Sequence, residues 1–158
     1  DGAHINEAVE SMLQSNRVAA QCAAACGVTA ATDVTGFGLA GHLLEMLGEN
    51  LGATLRLSSL PMLPGVLALL RKGYRSSMHE TNWRSVNAQL KVTPELDTAC
   101  LDLLFDPQTS GGLLLACPSQ AVESLLLSLR EAGCVDARCV GEIVSADTAA
   151  EGTLRVIP

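Results

Sequence analysis

Aromatic side chains are nearly missing: one Trp, one Tyr and two Phe make up 3% of the chain. Any core must therefore be built from Leu, Val and Ala, which the 48% hydrophobic content supplies. That content also argues against disorder, and 158 residues are enough for one domain with a real core. Basic residues are few as well, 10 Lys and Arg against 17 Asp and Glu, giving a formal net charge of −7. Affinity for nucleic acid rests largely on Lys and Arg at phosphates, so no nucleic-acid partner is expected. No basic cluster favours an anionic membrane surface, and no apolar run reaches transmembrane length. The first residues are polar and acidic, without the apolar stretch of a secretory signal. The expectation is a cytoplasmic protein with no membrane partner.

Short Cys-x-x-Cys pairs, the signature of structural zinc, are also lacking. The six cysteines are Cys22, Cys26, Cys100, Cys117, Cys134 and Cys139. They read as free thiols in a reducing compartment, with a redox pair at Cys22 and Cys26 as the alternative.

Against these absences stands one dense stretch, Ala31-Thr32-Asp33-Val34-Thr35-Gly36-Phe37-Gly38-Leu39-Ala40-Gly41-His42-Leu43-Leu44. Residues 28–34 are β-prone. From Ala40 onward, Ala40, Leu43, Leu44 and Leu47 recur at i, i+3, i+4 and i+7 and mark one apolar helical face. Three glycines and the carboxylate of Asp33 lie between strand and helix. Asp33 offers hard oxygen atoms to a hard cation, or else it is a helix cap. The hydroxyls of Thr32 and Thr35 would bond phosphate or orient Asp33, or they are simply β-formers. His42 reads as a structural histidine.

The glycines also fit G-x-G-x-x-G, the dinucleotide-binding fingerprint. Two features oppose that reading. The acid expected about twenty residues on to hold a ribose is replaced by Arg56, Leu57, Ser58 and Ser59. In addition, Asp33 would face a bare pyrophosphate with negative charge. A metal-bridged phosphate removes that conflict.

Along the chain, residues 5–13 form an amphipathic helix with Ile5, Val9, Met12 and Leu13 on one side. Ser15 or Asn16 would cap a second helix running to Cys26, closed by Gly27. A strand is expected over 53–57, a turn between Pro61 and Pro64, and a helix over 66–72 that stops at Gly73. Residues 74–90 show little periodicity and read as a surface connection with a short helical turn, or as a loop bordering a ligand site. Thr93-Pro94-Glu95 has the chemistry of a helix start, followed by Leu96, Cys100, Leu103 and Leu104 as the buried face. Residues 113–117 form a continuous apolar strand, expected to be central. Ser119 opens a helix with Val122, Leu125, Leu126 and Leu129 inward and Gly133 at its end. Strands over 138–144 and 154–157 complete the chain. The pattern predicts one domain over residues 1–158, a layered domain of α/β (α+β-like) class.

A second turn-rich stretch, Leu104-Phe105-Asp106-Pro107-Gln108-Thr109-Ser110-Gly111-Gly112-Leu113-Leu114, precedes the apolar strand. Its backbone amides with the hydroxyls of Thr109 and Ser110 would suit an anion. Together, Asp33-Val34-Thr35-Gly36-Phe37-Gly38 and Asp106-Pro107-Gln108-Thr109-Ser110-Gly111-Gly112 resemble the C-terminal-domain motifs of selenophosphate synthetases (selenide, water dikinases). The resemblance covers nearly the whole chain, in the family's order. It implies the C-terminal-domain fold of the aminoimidazole ribonucleotide synthetase superfamily, a mixed β-sheet covered by helices. It also implies a piece of a longer enzyme, since the family's glycine-rich N-terminal segment, with its reactive Cys or selenocysteine and Lys, has no counterpart here. The chain begins with Asp rather than Met, in keeping with that. No catalytic residue is therefore assigned.

The resemblance further implies magnesium held by Asp33 near the phosphates of ATP and places the second loop near the cleft between domains. From the residues themselves, Thr32, Thr35, Thr109 and Ser110 are candidate phosphate-binding residues. The partners it implies are the missing N-terminal domain, the small molecules selenide and ATP, and a second copy in a homodimer of the full-length enzyme. The 158-residue piece alone is expected not to turn over ATP and to expose apolar surface. Two alternatives remain open. One is a different superfamily chemistry: aminoimidazole ribonucleotide synthetase, thiamine-phosphate kinase or the hydrogenase maturation dehydratase. The other is a non-catalytic nucleotide-binding module.

Overall fold

A computed structural model of the protein describes residues 2–28, 30–94, 96–145 and 153–158. Two helices open it, α1 (Gly2–Leu13) and α2 (Arg17–Ala25). The apolar side of α1 turns to solvent: Ile5 is 65% and Leu13 79% exposed. Asn16 sits at the start of α2 without capping it. Its Nδ2 donates instead to the Gly111 carbonyl at 2.9 Å, across 95 residues of sequence. At the far end Gly27 has φ +72°, the left-handed conformation that closes a helix.

The chain then enters β1 (Ala30–Asp33), turns, and forms α3 (Gly38–Leu47). β1 pairs antiparallel with β4 (Leu113–Ala116), from Ala30 opposite Ala116 to Asp33 opposite Leu113. These two strands make a ribbon of their own. Residues 113–117 thus yield a strand, but not a central one. Each of its four positions is half-buried rather than enclosed on both faces. The expected strand over 28–34 is likewise trimmed to four residues, Thr29 lying outside the described residues.

A second, four-stranded sheet has the order β3-β6-β2-β5, from β2 (Leu51–Arg56), β3 (Leu90–Val92), β5 (Gly141–Ser145) and β6 (Leu154–Ile157). β6 runs parallel to both its neighbours, whereas β2 and β5 are antiparallel, so the sheet is mixed as expected. Because β1 and β2 belong to different sheets, α3 does not link adjacent parallel strands. The βαβ unit required for dinucleotide binding is absent from this part of the chain.

The core lies between α3 and the four-stranded sheet. Ala40, Leu43, Leu44 and Leu47 of α3 join Leu55 of β2, Leu154 and Val156 of β6, and Leu104 and Phe105 of a 3-10 turn. Aliphatic side chains dominate it, as the scarcity of aromatics requires; Phe105 is the largest fully buried side chain.

Two expectations need correction. Residues 74–90 are not only a surface connection. They contain α5 (His79–Val86), which buries His79, Asn82 and Val86, and they end in β3. Thr93-Pro94 does not start a helix either. The Thr93 amide and hydroxyl both donate to the Val156 carbonyl, at 3.2 and 3.1 Å, and so extend the sheet. The next helix, α6 (Thr98–Asp102), is capped by Asp97, whose carboxylate accepts from the Ala99 amide at 2.9 Å. Arg71, at the end of α4 (Val66–Arg71), bonds the same carboxylate at 2.6 Å and holds its titration below the ordinary range. The last helix, α7 (Val122–Glu131), buries Leu125 and Leu129 as predicted, and Gly133 follows with φ +95°.

This core gives a direct stability test. Leu154→Ala, at a position with 0% exposure, should cost about 2–5 kcal/mol in urea unfolding. Leu127→Ala, at a position 58% exposed, should stay within about 0.5 kcal/mol of the parent. Equal losses at the two positions would contradict the packing.

Candidate functional site: two glycine-rich loops tied at the end of a ribbon

The β1–β4 ribbon brings together the two motifs that lie some seventy residues apart in sequence. Past Asp33 the pairing continues: the Val34 amide donates to the Gly112 carbonyl at 2.9 Å. The Thr35 carbonyl then accepts from Gly38 N at 3.1 Å and from Gln108 N at 3.0 Å. One carbonyl thereby shapes its own turn and anchors the second loop. Gly111 fits here only because it has no Cβ, which would collide with the Val34 carbonyl oxygen and the Gln108 side chain. Gly38 has φ +70°, and a Cβ there would lie 2.8 Å from the Leu104 carbonyl oxygen. Both glycines are thus required by the close approach of the loops to neighbouring backbone.

α5 grips the same junction. The Nδ2 of Asn82, a residue 2% exposed, donates to the Gly36 carbonyl at 2.8 Å and to the Phe105 carbonyl at 3.0 Å. One turn earlier, His79 meets the Phe105 ring edge-on at 5.7 Å between centroids. Its Nε2 lies 3.1 Å from Asp102 Oδ1 without forming an aligned hydrogen bond. Arg75 bonds the other oxygen of Asp102, with Nε at 3.0 Å. Asn82, His79 and Asn16 are residues that sequence reading did not assign to the site. Asn16 carried only a capping signal, and Asn82 and His79 stood in a stretch without periodicity.

The predicted site residues separate into two groups. Asp33 ends β1 with its side chain exposed, and no described residue bonds its carboxylate. The first residues of α3 follow Phe37 without a side-chain cap, so Asp33 is not a helix cap. Thr109 and Ser110 are exposed on the second loop. Ser110 has φ 51°, alone among the described non-glycine residues in the left-handed region, at a cost of roughly 1–3 kcal/mol. These three residues flank the junction with oxygen atoms open to solvent.

Thr32 and Thr35 have their hydroxyls engaged within the chain. Thr32 points to the opposite face of the ribbon from Asp33, and its hydroxyl donates to the Asp33 carbonyl at 3.3 Å. The Thr35 hydroxyl lies 3.0 Å from His42 Nε2. His42 is 7% exposed, with the Glu45 carboxylate 3.5 Å from its Nδ1 and the Phe37 ring 5.5 Å away. The ring is thus bonded at Nε2, while its buried Nδ1 has no hydrogen-bond partner among the described residues, so it is not the fully satisfied histidine that the sequence suggests.

A magnesium ion fits this arrangement only as a shared guest. Asp33 offers a free, exposed carboxylate, the hard oxygen donor that magnesium accepts alongside phosphates and water. Among the described residues no three His, Cys, Asp or Glu side chains converge on one point. The described residues thus form no complete cage, and the fit at Asp33 is that of a single free carboxylate. The six cysteines are free, five half-buried and Cys139 exposed, and burial pushes the Cys100 and Cys117 thiols up.

Burial also raises the carboxyl of Asp106, at the start of the second loop, from its ordinary value of 3.8, and the nearby His79 opposes that rise in part. An acid whose folded-state value is raised favours folding while protonated, and that contribution is lost as pH rises through the folded value. Asp106→Asn should therefore melt close to the parent below pH 3.8 and increasingly above it as pH rises toward neutral. Thermal unfolding across pH 3–7 checks this; a difference in melting temperature that shrinks with rising pH would contradict it.

Comparison with known proteins is consistent with this geometry. The family model described as AIR synthase related protein, C-terminal domain, matches residues 4–151. The selenide, water dikinase of Burkholderia ambifaria is 41% identical over 145 residues, covering 91% of this chain and 41% of that protein. That of Paraburkholderia xenovorans is 38% identical over 158 residues, 99% of this chain and 44% of the relative. That of Shewanella putrefaciens is 43% identical over 148 residues, 93% of this chain and 41% of the relative. The chain thus spans about two fifths of the length of the curated relatives it matches. With the family model matched from His4 almost to the end of the chain, the protein belongs to the family of AIR synthase related proteins and comprises their C-terminal domain.

Proposed function

We propose that this chain is the C-terminal domain of a selenide, water dikinase, a cytoplasmic enzyme that makes selenophosphate from selenide, ATP and water and releases AMP and phosphate. Within it, the domain supplies Asp33 as a ligand to a magnesium ion shared with the ATP phosphates. The observation that supports this most is the state of that carboxylate. It is exposed, unbonded within the described chain, and fixed at the point where the two signature loops are tied. An acid serving as a helix cap or held in an ion pair would have a partner, and Asp33 is in neither state among the described residues.

Magnesium, when bound, neutralises phosphate charge and favours transfer of the phosphoryl group. The chain's own residues do the rest of this domain's share. β1 and β4 fix the position of Asp33 through backbone pairing, which costs no side-chain freedom at the site. Thr109 and Ser110 present hydroxyl donors to phosphate oxygens. Thr35 keeps His42 in place and holds the turn, while Thr32 supports the strand end. The net charge of −7 leaves little positive potential to hold a triphosphate, so a metal is the natural counter-charge. The nucleophile and the rest of the phosphate site belong to the remainder of the parent enzyme, and the parent works as a homodimer in this reading.

Asp33→Asn keeps the shape of the side chain and removes its charge. Losing a partner behind a metal ligand already costs about 10–100-fold in affinity, so losing the ligand's charge should cost at least as much. In the full-length parent, the magnesium concentration giving half-maximal AMP formation from selenide and ATP should rise by that factor. The defect should shrink as magnesium is raised. An unchanged magnesium dependence would overturn the assignment of Asp33.

A further inference from the structure

We propose that Asn82 is a positioning residue for this reaction: α5 clasps the two glycine-rich loops, and the Asn82 amide sets where Asp33 stands relative to the second loop. The inference rests on the reading of Asp33 as a magnesium ligand, and it concerns a residue that touches neither metal nor nucleotide.

The geometry is specific. Both N–H donors of a single carboxamide are used, one on each loop: Gly36 O at 2.8 Å and Phe105 O at 3.0 Å. Gly36 lies three residues after Asp33, and Phe105 immediately precedes Asp106. The bond to Phe105 O is buried, so water cannot readily replace that donor, while the bond to Gly36 O is part-buried. The loops also bond each other directly, Val34 to Gly112 and Gln108 to Thr35, through backbone groups alone. Asn82 adds the side-chain tie, from α5 to Gly36 O and Phe105 O.

The clasp is itself braced. His79, one turn before Asn82, packs against the Phe105 ring and lies beside Asp102, which Arg75 holds from the other side. Val86, one turn after it, joins the central core. α5 is therefore fixed at both ends by contacts independent of Asn82. Removing the Asn82 donors should loosen the loops without releasing the helix. A side chain with a purely structural task would lower melting temperature alone. A positioning residue must also alter how well the loop presents its ligand.

The test uses the full-length parent with Asn82→Leu, which keeps the approximate size and has no donor, and Asn82→Ser as a milder change should the first not fold. Two quantities are measured. The first is amide hydrogen exchange in residues 34–38 and 106–112 compared with β2 and β6. The second is the magnesium concentration giving half-maximal AMP formation, alongside kcat at saturating magnesium. The expected result is about tenfold faster exchange confined to the two loops. With it should come a rise of about tenfold in the magnesium requirement, the lower end of what losing a partner behind a metal ligand costs. kcat at saturating magnesium should stay within about twofold of the parent. Unchanged loop exchange would overturn the clasp. Faster exchange with an unchanged magnesium requirement would overturn the positioning role and leave a structural residue. A parent that forms no AMP with Asn82 intact would overturn the dikinase reading instead, and the exchange measurement would still decide the clasp.

Discussion

The Val34 amide bonded to the Gly112 carbonyl extends a four-residue ribbon by one step, and the rest of the site depends on that step. Without it the two loops would be separate turns on separate elements. With it, a turn that follows β1 and a turn that precedes β4 share one scaffold, and each restricts the other. The Thr35 carbonyl takes part in both, accepting from Gly38 within its own turn and from Gln108 across the junction. Backbone groups perform this tying, which leaves the side chains of Asp33, Thr109 and Ser110 free. The close approach also explains the composition of the loops. Gly111 and Gly38 stand where any Cβ would strike neighbouring backbone, so glycine here serves packing of loop on loop rather than contact with a ligand.

The same junction connects site and core. Leu104 and Phe105 are buried among the residues of α3 and the four-stranded sheet, and Asp106 begins the second loop directly after them. Asn82 bonds the Phe105 carbonyl from α5. The second loop is therefore anchored in the most buried part of the molecule at its first residue, and paired with β1 at its last. Such anchoring suits a domain that must offer a single carboxylate at a fixed place to groups held elsewhere. Preorganisation of this kind limits the ordering cost when a charged ligand arrives.

Much of this was legible in the sequence where a physical signal was strong and local. The apolar face of α3 at Ala40, Leu43, Leu44 and Leu47, the left-handed Gly27 and Gly133, and the strand at 154–157 all followed from periodicity and backbone chemistry. The layered α/β character followed from the order of elements, and the mixed sheet from the resemblance of the two motifs to a known family. What was not legible depended on long-range pairing. Leu90-Lys91-Val92 is too short for its alternation to register, and it is a strand only because β6 lies beside it. Thr93-Pro94 has good helix-start chemistry, yet the Val156 carbonyl captures Thr93, and Asp97 takes the cap. The apolar run at 113–116 suggested a central strand, but its partner β1 stands alone with it. Ile5, Val9, Met12 and Leu13 marked a helix side correctly without revealing that it faces solvent. Asn82 stood in a stretch that could border a ligand site, but its own role was not legible, because a buried carboxamide is defined by carbonyls 46 and 23 residues away.

The account stands on Asp33 meeting a divalent ion shared with a triphosphate. Paramagnetic relaxation tests that most directly, with manganese in place of magnesium and ATP bound to the isotope-labelled full-length parent. The account predicts that amide signals of residues 33–36 and 109–112 broaden together on addition of manganese with ATP, while those of β5, at the edge of the other sheet, persist. Sharp signals throughout both loops, with manganese and ATP bound elsewhere in the parent, would contradict it.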